Sequence, residues 1–215
     1  MVAAALALGC APARPVRLLD LGGDQPAIFG LAADPESGVS DLLRRPAGFG
    51  LSELDALAAP AVGGVRIVPQ GGMPLDALVP DRGAELAVLL RDDPACTIVD
   101  VGSPEHSVAH PFVELADIAL IVLRGCYLAL RRAVHSPLLA HTQGAIAMLH
   151  PERPLGPRDI GDVLQLPVLA SLHAHPDVAR AVDAGVLPGR CPPDLARIMR
   201  RVIDQLDIAG WGQVA

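Results

Sequence analysis

Lysine and asparagine are missing from all 215 residues, and the 17 basic side chains are all arginine. Both missing residues are spelled by AT-rich codons, so a GC-rich genome accounts for the two absences together. The chemical consequence holds regardless: Schiff-base chemistry, a lysine general base and a phosphate-loop lysine are all excluded. Aromatics are scarce too, at 2% against 51% apolar residues, so the core has to be packed from Ala, Val, Leu and Ile. A chain of this length buries roughly 70% of its unfolded surface and needs no staple. The four cysteines, Cys10, Cys96, Cys126 and Cys191, are scattered without a CxxC pair. That spacing speaks against a disulfide framework or a zinc ribbon and for the reduced thiols of a cytoplasmic protein. Positive charge is in deficit as well: the net charge of −7 argues against a general affinity for nucleic-acid backbones. Arg197, Arg200 and Arg201 read as the solvated face of a helix.

Long hydrophobic runs are lacking, so no membrane span is expected. The opening MVAAALALGC has no basic segment before its short apolar run, and Ala7 stands three before Cys10 where a lipoprotein signal places leucine. It reads as a helix.

What is present alternates. Apolar or β-branched runs are predicted as strands over 16–20 (VRLLD), 65–68 (VRIV), 96–101 (CTIVDV), 118–123 (IALIVL), 144–149 (GAIAML) and 167–172 (PVLASL). Helical patterns are predicted over 1–8, 40–43, 52–57, 83–90, 127–135, 158–164, 176–184 and 193–206, with Ser52 as the cap of the third and a proline opening the last. Strands interleaved with helices mean βαβ units around a mostly parallel, doubly wound sheet with helices on both faces. Glycine and proline are spread evenly along the chain, so a single α/β domain over 1–215 is expected.

The order of these pieces resembles the MinD/ParA/CpaE-like P-loop ATPases, in the flavour of a divergent actinobacterial subgroup. LLDLGGDQPAIFGL (18–31) and GVSDLL (38–43) are similar to that family's second strand and switch I. TIVDVGSP (97–104) is similar to its Walker B and switch II segment, and ELADIALIVLRGCYLALRRA (114–133) to the strand and helix that follow. RDIGDVLQLPVLASLHAHPDVARAVDAG (158–185) resembles the family's closing stretch. The resemblance implies ATP and Mg as cofactors, protein partners, a homodimer formed across the nucleotide, and a role in division-site or pilus and secretion positioning.

It also implies site residues. Asp20 matches the first switch I aspartate and Asp100 the switch II aspartate that contacts the magnesium shell. Gly22 stands where the family carries a second, water-orienting aspartate, and Asp24 comes two residues late. The base-reading loop offers Leu149-His150-Pro151-Glu152-Arg153 in place of an asparagine. In such relatives the VAAALAL helix follows a glycine-rich loop with lysine and Ser/Thr, and no pair among Gly22-Gly23, Gly63-Gly64 and Gly71-Gly72 has that context. The expectation is therefore a fold whose first, phosphate-loop strand is missing, with the natural start about 20 residues upstream, the length of a strand and loop. In this family that strand lies mid-sheet, so 97–101 and 118–123 are expected to have unpaired ladder groups.

Two other chemistries have partial motifs in the sequence. His173-Ala174-His175-Pro176-Asp177 is an H-x-H-x-D run of the kind that gathers metal ligands, but Val178 stands where a metallo-β-lactamase-like site wants another His. EHSVAH (105–110) has its glutamate before the first His and reads as loop surface, and Ser103 and Ser107 lack a G-x-S-x-G elbow. Arg131-Arg132 reads as an exposed helix face. The remaining class is a non-catalytic interaction module, a pseudo-ATPase. The uncharged end, 208–215, lacks the basic amphipathic helix by which MinD relatives hold membranes.

Overall fold

The computed structural model describes all residues except 33–34, 47, 61, 76–77, 79, 104–105 and 208–215. The C-terminal segment, Glu105 and Pro104 therefore lie outside the described residues. Six strands are described: β1 (Val16–Asp20), β2 (Val65–Val68), β3 (Cys96–Asp100), β4 (Leu120–Arg124), β5 (Gly144–Leu149) and β6 (Val168–His173). All the strand pairs are parallel, and they form two three-stranded sheets in the orders β2-β1-β3 and β4-β5-β6. One side of β3 and one side of β4 thus have no ladder partner among the described residues.

The helices are α1 (Val2–Cys10), α2 (Gln25–Ile28), α3 (Val39–Leu43), α4 (Leu51–Ala56), α5 (Pro80–Arg91), α6 (His110–Glu114), α7 (Tyr127–Val134), α8 (Pro157–Leu164), α9 (Pro176–Asp183) and α10 (Pro193–Gln205). They cover both faces, as alternation along the strands requires. On β1, Val16 and Leu18 point into a core shared with Ala4, Ala7, Ala181, Met199 and Ile203, which come from α1, α9 and α10. That core also takes Ile146 of β5 and Leu172 of β6, so the same helices lie over both sheets. Leu19 faces the opposite way, toward Leu42 of α3, Leu54 of α4 and Leu86 of α5. Behind the second sheet, Leu123 and Ala147 pack on Leu130 of α7 and Ile160 of α8.

Arg17 breaks the apolar run of β1 and is itself buried. Its guanidinium donates to Asp93 at 2.7 Å, to Thr97 of β3 at 2.9 Å and to Asp55 of α4 at 2.9 and 3.1 Å. Burial alone would lower its pKa, but the two carboxylates outweigh that and raise it. A cation with satisfied donors on this face ties α4 and the α5–β3 turn to the sheet.

Two local expectations differ from what is found. Helix α4 is capped by Glu53, whose Oε2 accepts the Gly50 N–H at 3.0 Å and the Ser52 hydroxyl at 2.8 Å. Ser52 is thus inside the first turn, and the cap works through the reciprocal carboxylate. The stretch 106–110 is not loop surface: residues Ser107–Ala109 form a 3-10 turn leading into α6, and Val108, Ala109 and Phe112 are buried. Close approach explains it, since a Cβ at Gly83 of α5 would come within 3.0 Å of the Val108 side chain. Among the described residues, no helix is long and apolar enough to cross a membrane.

Candidate functional site at the strand ends

Parallel pairing in register sets Asp20 beside Asp100, at the C-terminal ends of β1 and β3. In open α/β sheets this is the edge at which ligands bind. The chain then turns sharply after each strand, and both turns use the aspartate just passed. Asp20 is fully buried; its Oδ1 accepts the N–H groups of Gly22 at 3.0 Å and Gly23 at 2.8 Å, and its Oδ2 accepts that of Gln25 at 2.9 Å. Asp100 is half-buried, and its Oδ1 accepts the Gly102 N–H at 3.1 Å. Burial pushes the Asp20 carboxyl up to about 6. The N–H groups of Gln25 and Gly23 oppose that shift, and the neighbouring charge of Asp100 adds to it.

Gln25 joins the two. Its side-chain amide donates to Asp100 Oδ2 at 2.5 Å, while its Oε1 is buried without a hydrogen-bond partner among the described residues. Sequence reading passed over this residue. The available signal was a polar side chain directly before Pro26, at the first turn of a short helix that begins next to a strand-end aspartate.

Gly22 and Gly102 let the two turns touch. Gly102 has φ +66°, and a Cβ there would lie 2.8 Å from the Gly22 Cα, so a side chain is excluded twice over. A Cβ at Gly22 would stand 3.6 Å from Asp20 Oδ1 and 3.8 Å from Asp100 Oδ1. An aspartate at position 22 would thus add a third carboxylate between two others.

Helix α1 starts at this same end. Its last residue, Cys10, meets Cys96, the first residue of β3, so the helix runs against the strands and its beginning lies toward Asp20 and Asp100. No side chain caps its first turn. For a nucleotide and its magnesium the donor set is partial. Asp100 retains acceptor capacity and reaches solvent, whereas the oxygens of Asp20 are engaged by three backbone donors. The amides of the turn after β1 are engaged by Asp20 itself. The residues present do not assemble a triphosphate cradle.

The other candidates lie elsewhere. His173 ends β6 and is exposed. His175 caps α9, its Nδ1 accepting the Asp177 N–H at 3.2 Å, and Asp177 pairs with Arg180. With that nitrogen and that carboxylate occupied, the run works as a helix start, and no group of three such side chains suited to a metal occurs among the described residues. His150 makes a similar turn, accepting the Glu152 N–H at 3.3 Å. Arg131 and Arg132 are exposed on α7, next to exposed Tyr127 and Leu128. Arg197 pairs with Asp194 on the outer face of α10.

No protein-family model and no curated protein matches the sequence. Solved structures do match in shape. The septum site-determining protein MinD of Pyrococcus horikoshii OT3, complexed with Mg-ADP, superimposes with a TM-score of 0.76 at 18% identity, over 100% of this chain and 93% of that one. A ParA family ATPase from Chlorobium tepidum TLS gives 0.69 at 18% identity, over 97% and 90%. A chain of the MinC:MinD cell division protein complex of Aquifex aeolicus gives 0.71 at 14%, over 96% and 89%. Parallel sheets sandwiched between helices, with paired aspartates at the strand ends, give this chain the MinD/ParA-like fold.

Proposed function

We propose that this is a nucleotide-binding protein of the ATPase type, whose 215 residues carry the switch side of the site but not its phosphate loop. The observation that carries the reading is the pairing of Asp20 with Asp100 beside the open side of β3. A parallel strand joined to β3 there would end in a loop next to both carboxylates and lead into the uncapped start of α1. Backbone amides of that loop would supply the anion cradle that arginines and glycines elsewhere in the chain do not form. In this reading Asp100 would face the magnesium shell, while Asp20 shapes the turn after β1. The fold's known structures include a MinC:MinD complex. By analogy the present chain works with protein partners, as a nucleotide-dependent dimer that positions division-site, pilus or secretion machinery in the cytoplasm.

Titrating Mg-ATP into the chain by calorimetry tests it. The 215 residues are expected to show no binding tighter than about 1 mM. A chimera that joins the first strand and glycine-rich loop of a MinD protein ahead of Met1 is expected to bind in the micromolar range, and Asp100→Asn to weaken that binding. Micromolar binding by the 215 residues alone would overturn the proposal.

One observation favours a second reading, a non-catalytic interaction module. The oxygens of Asp20 are taken up by its own turn, so this aspartate serves structure without any ligand. A chimera that folds and still ignores Mg-ATP would decide for that reading.

A further inference from the structure

Helix α7 meets the rest of the fold with one face only. Leu130 and Ala133, three residues apart, pack with Leu123 of β4 and Ile160 of α8. The other face carries Tyr127, 70% exposed, and Leu128, 65% exposed, with Arg131 and Arg132 exposed one turn further on. No other large apolar side chain among the described residues is as open as these two. A spacing of four residues sets Arg131 next to Tyr127 and Arg132 next to Leu128, so two rows, each of a ring or chain and a guanidinium, stand side by side.

The charge on this face is uncompensated. From Ile118 to Pro151 the sequence has three arginines, three histidines and no Asp or Glu, in a chain whose net charge is −7. Arginines on other helices meet a carboxylate three residues away: Arg82 pairs with Glu85 on α5, Arg180 with Asp177 on α9 and Arg197 with Asp194 on α10. Arg124, Arg131 and Arg132 have no ion pair among the described residues. Helix α8 packs against α7 and carries two carboxylates. Asp159 accepts the Gly156 N–H at 2.8 Å, and Asp162 is exposed without an ion pair.

We propose that the exposed face of α7 is the docking site for an acidic protein segment with an apolar anchor. Carboxylates of the segment pair with Arg131 and Arg132, and its apolar side chain covers Tyr127 and Leu128. Composition selects that occupant. Free guanidiniums take carboxylates or phosphates through two parallel N–H donors. A nucleic-acid backbone would supply the charge but leave Leu128 in water, and a polyanion of that length would also run past the acidic remainder of the chain. A lipid surface would accept Leu128, but a helix of eight residues with one face already packed has little apolar area to insert. A short acidic segment matches both halves of the face, and the rest of the chain's charge is screened beyond about 10 Å. Tyrosine and arginine are also the side chains that most often carry the binding energy of protein interfaces.

The test titrates the full chain by fluorescence anisotropy with a labelled peptide that has leucines at helical spacing and glutamates on either side of them. A Kd of about 50 μM is expected at low salt, with slowed hydrogen exchange over 127–135. Arg131→Gln combined with Arg132→Gln should weaken binding roughly tenfold and Leu128→Ser roughly fivefold, while Arg131→Lys with Arg132→Lys should keep most of it because the charge is kept. These side chains are exposed, so the variants are expected to unfold in urea together with the unmutated chain. Arg158→Gln, on α8, is the control and should bind as the unmutated chain does. Absence of binding at about 1 mM peptide, or binding indifferent to the α7 substitutions, would overturn the proposal. So would equal binding by a peptide with glutamine in place of glutamate, or serine in place of leucine. Vesicles of anionic phospholipid or single-stranded DNA that bound more tightly than the peptide, through the same residues, would give the face to another partner and overturn it too. No nucleotide is present in any arm, so these outcomes are separate from whether the chimera binds Mg-ATP.

Discussion

Asp20 shows how one side chain can be both necessary and costly. Its carboxylate organises three N–H groups of the turn after β1, yet it does so fully buried and beside Asp100. Folded, it holds its proton up to about 6, above its ordinary value of 3.8. Its contribution to stability is therefore fully present below pH ~4 and is lost as the pH rises through 6, the whole amounting to on the order of 3 kcal/mol. Asp20→Asn removes the titration and keeps one acceptor. Relative to the unmutated chain, the variant should gain roughly 1.5 kcal/mol in urea unfolding between pH 5 and pH 7.5. A difference that stays flat with pH would mean that Asp20 ionises as freely as a surface carboxylate. Asp20 and Asp100 were legible in the sequence because each ends a β-branched or apolar run and precedes a glycine within two residues. Gln25 was not, because its role depends on two strands 80 residues apart lying side by side, and no local pattern encodes a partner at that distance.

Elements were legible where their periods were clean. The runs VRLLD, VRIV and GAIAML give β1, β2 and β5 with the predicted bounds, because short apolar or β-branched runs closed by glycine or proline read as strands. Helix α6 escaped notice: its five residues have no room for a helical period, and it is held by the fit of Val108 and Phe112 against α5. Helix α10 is the opposite case, an amphipathic segment whose Leu195, Met199, Val202 and Ile203 are buried while Arg200 and Arg201 are exposed. It packs on α1, where a Cβ at Gly9 would lie 2.6 Å from Ile203 Cδ1. With so few aromatics to fill space, this contact between small and branched residues has no spare volume. Met199→Ala should cost about 3 kcal/mol in denaturant unfolding through the cavity it leaves, and Arg200→Ala should stay within about 0.5 kcal/mol. Equal effects from the two would mean that α10 lies loosely on the sheets.

At the scale of the whole molecule, composition and element order pointed to a doubly wound fold, but only the hydrogen-bond ladders reveal that the strands divide three and three. That division rests on which backbone groups find partners, and a sequence has no direct record of it. It leaves each sheet with an inner strand, β1 or β5, that is paired on both sides. β3 and β4, like the other outer strands β2 and β6, have one side without a ladder partner among the described residues. β3 is half-buried along its whole length and Val122 of β4 is 45% exposed, which is unusual for apolar strands of a parallel sheet. Strand edges of this kind recruit other strands. The chain should therefore associate as its concentration rises, and a lysine on the open edge should oppose that by placing a charge where a second chain would dock. Val122→Lys, at a position already in contact with water, is expected to lower the sedimentation-average mass at high concentration while shifting stability by no more than about 0.5 kcal/mol. The MinD-loop chimera should suppress association too, because an inserted strand would consume the same edge. If Val122→Lys associates as the unmutated chain does, association runs through another surface and the open side of β4 is not its site.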